Sequence, residues 1–141
     1  MPRRLHVSEP ENEKKLLEKL LVDDRSILQR LVNQAAGVVG VDRENGEVIV
    51  LAPHSNLTDR EQLFLLLLGH FFSFRLGKAK FDSASLENLA KTSGLSDKAA
   101  SARISELKRE RFVESTKKGE YRIIYSNAES MLSGIRAKLK G

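Results

Sequence analysis

Cysteine is absent from the 141 residues, so disulfides, thiolate metal sites and a cysteine nucleophile are all excluded. Histidine is scarce: His6, His54 and His70 are spread along the chain. The sequence has no glycine-rich phosphate loop ending in Lys-Ser/Thr, no His-Glu-x-x-His pair and no nucleophile elbow. His70 falls inside an apolar stretch, where a structural, hydrogen-bonded role is expected. His54, with Asp59 nearby, is the best ligand pair on offer, and two residues fall short of a metal site. The expectation is a protein that is not an enzyme and carries no cofactor or metal.

Long apolar runs are lacking too. The richest is LFLLLLGHFFSFRL, residues 63–76, interrupted by His, Ser and Arg. A membrane span needs about 20 apolar residues, so this segment reads as a buried helix. The opening MPRRLHVSEPENEKK has no apolar stretch of the export-signal type, and a cytoplasmic protein without membrane contact is expected. Residues 1–10, with Pro2 and Pro10, read as a loose polar arm. Hydrophobic residues at 40% and charged residues at 30% describe a globular chain with enough length for its own core.

Charge is unevenly placed. Residues 1–77 hold 10 basic and 11 acidic side chains, whereas residues 78–141 hold 14 and 8. The net charge of +5 therefore comes from the C-terminal half. A concentrated positive region attracts polyanions by counterion release, although a lysine-rich solvated surface has the same composition.

From Asn12 to Ala35 the apolar positions recur at helical spacing, with Asp23-Asp24 breaking the stripe. The pattern allows one helix or two, with an aspartate capping the second and Gly37 ending it. Val38–Val41 and Val48–Leu51 flank Asn45-Gly46 and predict a β-hairpin closed by Pro53. Thr58-Asp59-Arg60-Glu61 fits a capping box, and a helix follows from Asp59 to Arg75, ended by Gly77. Its polar positions Gln62, Gly69, His70 and Ser73 occupy an arc of ~100°. This is the expected central core helix. With the hairpin it has the makings of a small-molecule pocket, though the same residues suit an ordinary core.

In the C-terminal half the order of signals changes. Ser85 precedes a short helix at 86–93 with Leu86, Leu89 and Ala90 on one face. Gly94 breaks it, and Ser96 caps a second helix, 97–110, with Ala100, Ile104 and Leu107 inward. Strands follow at Phe112–Ser115 and Tyr121–Tyr125, joined through Lys117-Lys118-Gly119-Glu120, and Ala79–Asp82 reads as a short leading strand. Two helices on a tight Gly turn followed by a hairpin resemble the winged helix-turn-helix superfamily of microbial transcription regulators. The resemblance rests on LENLAKTSG, the Leu-Ser turn, the helix with Ile and Leu inside and the RFVE run into the wing. It covers about residues 57–125.

The resemblance implies that the helix at 97–110 enters the DNA major groove. Its outward side carries Lys98, Ser101, Ala102, Ser105 and Arg109, with Arg103 and Lys108 on the flanks. Small Ala and Ser side chains let a helix backbone approach base edges, and the cations reach phosphate or guanine acceptors. Lys117 and Lys118 at the wing tip, supported by Arg122, reach an adjacent backbone. The amides at Ser96 add an anion site. Against this, Glu106 and Asp97 lie near the same face, and an exposed helix with Lys, Ser and Arg is also what a solvated helix looks like.

Asn127 to Lys140 predicts a last helix capped by Asn127, with Met131, Leu132, Ile135 and Leu139 on one face. That stripe packs on its own domain or joins the N-terminal helix in a dimer interface. The expected architecture is therefore α+β and mainly helical. It comprises a helix plus β-hairpin at 1–56, a winged helix-turn-helix at 57–126 and a C-terminal helix at 127–141. The expected function is binding of double-stranded DNA as a homodimeric transcriptional regulator. The alternative is a non-catalytic winged-helix adaptor that docks on a protein partner.

Overall fold

A computed structural model describes residues 9–21 and 23–140; the arm expected at 1–10, with His6, lies largely outside them. The protein is α+β and mainly helical, with six α-helices and two small antiparallel sheets among the described residues.

The N-terminal stripe is two helices, α1 (Glu9–Glu18) and α2 (Asp24–Ala35). Asp23 separates them because its carboxylate accepts the Arg25 amide at 3.0 Å, which starts a new helix. Strands β1 (Val39–Val41) and β2 (Val48–Val50) pair with Val41 opposite Val48. Asp42 closes their loop by accepting the amides of Glu44 and Asn45 at 2.8 and 3.0 Å. The Asn45 and Glu44 amides hold the Asp42 carboxyl below its ordinary pKa.

Helix α3 (Asp59–Arg75) begins at the expected capping box: Thr58 Oγ1 accepts the Glu61 amide, and Glu61 Oε1 accepts the Thr58 amide. Ten of its residues are buried, including Gln62, Gly69 and Ser73 of the polar arc. That arc faces the β1–β2 hairpin. Ser73 Oγ donates to the Gly46 carbonyl at 2.8 Å, and a Cβ on Gly69 would stand 2.2 Å from Val48 Cγ1. Glycine is required there for the strand to approach the helix.

Strand β3 (Ala84–Ser85) leads into α4 (Leu86–Ser93), and α5 (Asp97–Arg109) follows. Ser85 and Ser96 cap these two helices by accepting the amides of Asn88 and Ala99. Gly94, at φ 80°, makes the turn between them. Strands β4 (Val113–Lys117) and β5 (Glu120–Ile123) complete a sheet of order β3-β5-β4. Helix α6 (Ala128–Lys140) closes the chain. The succession α3, β3, α4, α5, β4, β5 is compatible with a winged-helix-like arrangement.

One hydrophobic cluster joins these parts. It takes Leu31 and Ala35 from α2, Phe64 and Leu67 from α3, Ile104 and Leu107 from α5 and Leu132 and Ile135 from α6. The apolar stripe of α6 is thus covered within its own chain. Polar contacts reinforce its seat on α2: Arg30 to Glu129 at 3.1 Å and Arg136 to the Ala36 carbonyl at 3.0 Å.

Three local expectations are corrected. Residues 79–82 form bends rather than a strand, and the leading strand is Ala84–Ser85, paired with Tyr121 and Glu120. The wing strands begin and end elsewhere than expected: Arg111 takes φ 66° after α5, and Tyr125 belongs to a 3-10 turn, Tyr125–Asn127. Asn127 does not cap α6; its side-chain amide donates to the Arg111 carbonyl at 2.8 Å and fastens the left-handed residue that follows α5.

Candidate nucleic-acid interface

Helix α5 is amphipathic in the expected phase. Ala100, Ile104 and Leu107 are buried, while Lys98, Ser101, Ala102, Ser105, Lys108 and Arg109 are exposed. No described element covers the outward side, so Ser101, Ala102 and Ser105 present a shallow surface. Ser96, at the start of the helix, uses its hydroxyl on the Ala99 amide.

The tip of the β4–β5 hairpin, the expected wing, is a two-residue turn, Lys118-Gly119, with Gly119 at φ 79°. Lys117 is the last residue of β4 rather than part of the turn, and a bulge separates it from Ser115. That extra residue matters for charge. It shifts the register so that Glu114 lies opposite Arg122.

The cations therefore fall into two groups. Lys98, Arg109 and Lys118 are exposed and make no ion pair among the described residues. The others are engaged. Arg103 pairs with Glu106 at 3.1 Å, which also explains how that acid is accommodated on the helix flank. Lys117 reaches Glu120 at 3.6 Å. Arg122 donates to Glu114 at 2.7 Å and lies 3.9 Å from Asp82, and the Glu114 hydrogen bond raises its pKa further. Lys108 stands 5.8 Å from the centre of the Tyr121 ring, a cation–π distance that ties α5 to the wing.

Sequence reasoning missed Glu114, Asp82 and Tyr121. Glu114 was in principle readable from the hairpin, but only with the bulge placed, and nothing in STKKGE marks it. Asp82 meets Arg122 across 40 residues, which no local pattern encodes.

The two described histidines, His54 and His70, lie elsewhere. The His54 imidazole meets the Gln62 amide nitrogen, with Nδ1 at 2.9 Å, rather than turning to Asp59. His70 is half-buried, and desolvation lowers its pKa, which favours the neutral ring. It opens on a cleft of about 360 Å³ shared with Asn45, Glu47, Lys78, Asn88 and Thr92. Among the described residues no group of three or more His, Asp or Glu is placed to hold a metal ion, and no helix is long and apolar enough to cross a membrane.

No family model matches the chain, and no match is found among curated proteins or solved structures.

Proposed function

We propose that this protein is a winged-helix transcriptional regulator that binds double-stranded DNA as a homodimer, placing α5 in the major groove and the Lys118-Gly119 turn on an adjacent backbone. The observation that supports this most is the uncovered outward side of α5. Its small side chains at Ser101, Ala102 and Ser105 are bracketed by Lys98 and Arg109, exposed cations that make no ion pair among the described residues. Such a surface admits close approach to base edges and supplies phosphate contacts at both ends.

Binding sites are selected from random duplexes, and affinity is then followed against salt. Phosphate contacts require log affinity to fall linearly with log salt. Arg109→Ala and Ser101→Ala should change the preferred sequence, and Lys118→Glu should weaken all sequences alike. Absence of binding to any duplex at ~50 mM salt would sink the proposal.

A second reading has its own support. Leu16, Leu17, Leu20 and Leu21 are exposed, together with Val32 and Leu76, and such apolar surface marks protein contact. On this reading the chain is a non-catalytic adaptor. Recovery of a stoichiometric protein partner after nuclease treatment, with no affinity for any duplex, favours it.

A further inference from the structure

Two apolar surfaces lie close together in the chain. The first is on α1, where every described side chain is exposed. Leu16, Leu17, Leu20 and Leu21, at the end of α1 and just beyond, are 62%, 51%, 74% and 76% exposed. Within α1, at 100° per residue, Leu16 and Leu17 flank Glu13 at ~60° and ~40°, and Leu20 and Leu21 follow in turns whose amides donate to the Leu17 and Glu18 carbonyls. A helix face of this kind is ordinarily covered.

The second is a groove of about 370 Å³ between α2, β1 and the end of α3. Leu28, Val32, Val39, Val41, Phe72 and Leu76 line it, and Val32 and Leu76 are 47% and 64% exposed. Among the described residues one charged residue lines it, Arg75. Its Nη2 reaches Asp24 at 3.2 Å, and a guanidinium with five N–H donors has donors left for a second carboxylate.

Glu13 thus lies among the leucines, with Lys14 and Glu18 lining the same surface, and the groove carries one base among the described residues. We propose that the groove receives α1 of a second copy of this chain, with Glu13 of the incoming helix at Arg75. The charge pair selects this occupant, and the chain order makes it reciprocal. α1 runs almost directly into α2, a wall of the groove, so a two-fold axis lets each copy give its α1 and receive the other's. The proposal rests on the homodimer of the preceding section and is independent of its DNA contacts.

The absence of cysteine makes the test clean. Leu17→Cys and Leu76→Cys are prepared as separate full-length chains of different tag length, mixed and mildly oxidised, and native mass is measured by light scattering. A dimer mass with a disulfide joining the two different chains is the expected result. A monomer at ~100 μM overturns the dimer and the interface together. A dimer in which Leu17→Cys links only to its own kind places α1 against α1 and overturns the groove while leaving the dimer standing. Cross-linking within one chain of the double variant, with monomer mass, shows α1 folded back on its own groove and overturns the exchange. Glu13→Lys should weaken dimerisation ~10-fold and Glu11→Lys should not. Equal effects would overturn the charge pair.

Discussion

Gly69 of α3 and Val48 of β2 meet so closely that a Cβ on the glycine would stand 2.2 Å from Cγ1 of the valine and 3.0 Å from Cγ2. One turn further along, Ser73 gives its hydroxyl to the Gly46 carbonyl. These two positions on one face of α3 seat the N-terminal hairpin on the helix that carries the rest of the core.

Gly69→Ala should therefore destabilise the protein by about 1–3 kcal/mol, as overpacking does, although alanine is the better helix former by about 1 kcal/mol. Urea unfolding measures the difference. A variant as stable as the parent would show that the hairpin is not held in this close register.

Local signals were the readable ones. The capping box at Thr58 and the serine cap at Ser96 act over three residues, and the phase of Ala100, Ile104 and Leu107 follows from one helix alone. The polar arc of α3 is different. Gln62, Gly69 and Ser73 mark its narrow polar side, and solvent is the obvious partner for polar groups. In the folded chain these groups are satisfied by His54 and by a carbonyl 27 residues away, so the side is buried. Periodicity gives the phase of a face but not its covering. The same holds at the candidate interface: the sequence supplies Arg122 and Lys117 as cations, and only the β4–β5 register shows that carboxylates already hold them.

Glu61 ties the start of α3 to α6. Its Oε1 receives the Thr58 amide at 2.9 Å and the Lys138 ammonium at 2.6 Å. Burial alone raises the carboxyl pKa, but the Lys138 and Thr58 bonds outweigh it and leave the folded value below the ordinary 4.5. A depressed folded pKa gives stability that is present above pH 4.5 and lost as pH falls through the folded value. Thermal unfolding should show Glu61→Gln less stable than the parent by about 0.5 kcal/mol at neutral pH, the two converging in acid. A gap that persists unchanged to pH 3 would assign the effect to packing rather than charge.

Arg111 holds φ 66° at the exit of α5, where a side chain is disfavoured. Arg111→Gly relieves that cost and gives back part of it as unfolded-chain entropy, so stability should rise by about 0.5–1 kcal/mol. Asn127→Ala, which removes the donor to the Arg111 carbonyl, should lower it by about 1 kcal/mol. Chemical denaturation of both variants checks the pair of signs. A fall in stability for Arg111→Gly would mean that the arginine side chain itself contributes packing at this corner.

The division of cations on α5 and the wing predicts unequal effects on DNA affinity. Lys98, Arg109 and Lys118 make no ion pair among the described residues and are available to phosphate. Changing each to alanine should reduce the slope of log affinity against log salt by about 1. Arg122 is already compensated by Glu114 and Asp82, so its positive charge reaches phosphate weakened. Removing one of those acids is then the informative change. Glu114→Gln should strengthen binding to every duplex, while Glu11→Gln, the same charge change on α1, should do so far less, because screening confines a surface charge to about 10 Å. Fluorescence anisotropy across a salt series reads both quantities. Equal effects of the two substitutions would mean that DNA responds to net charge alone, and the assigned wing surface would have to be abandoned.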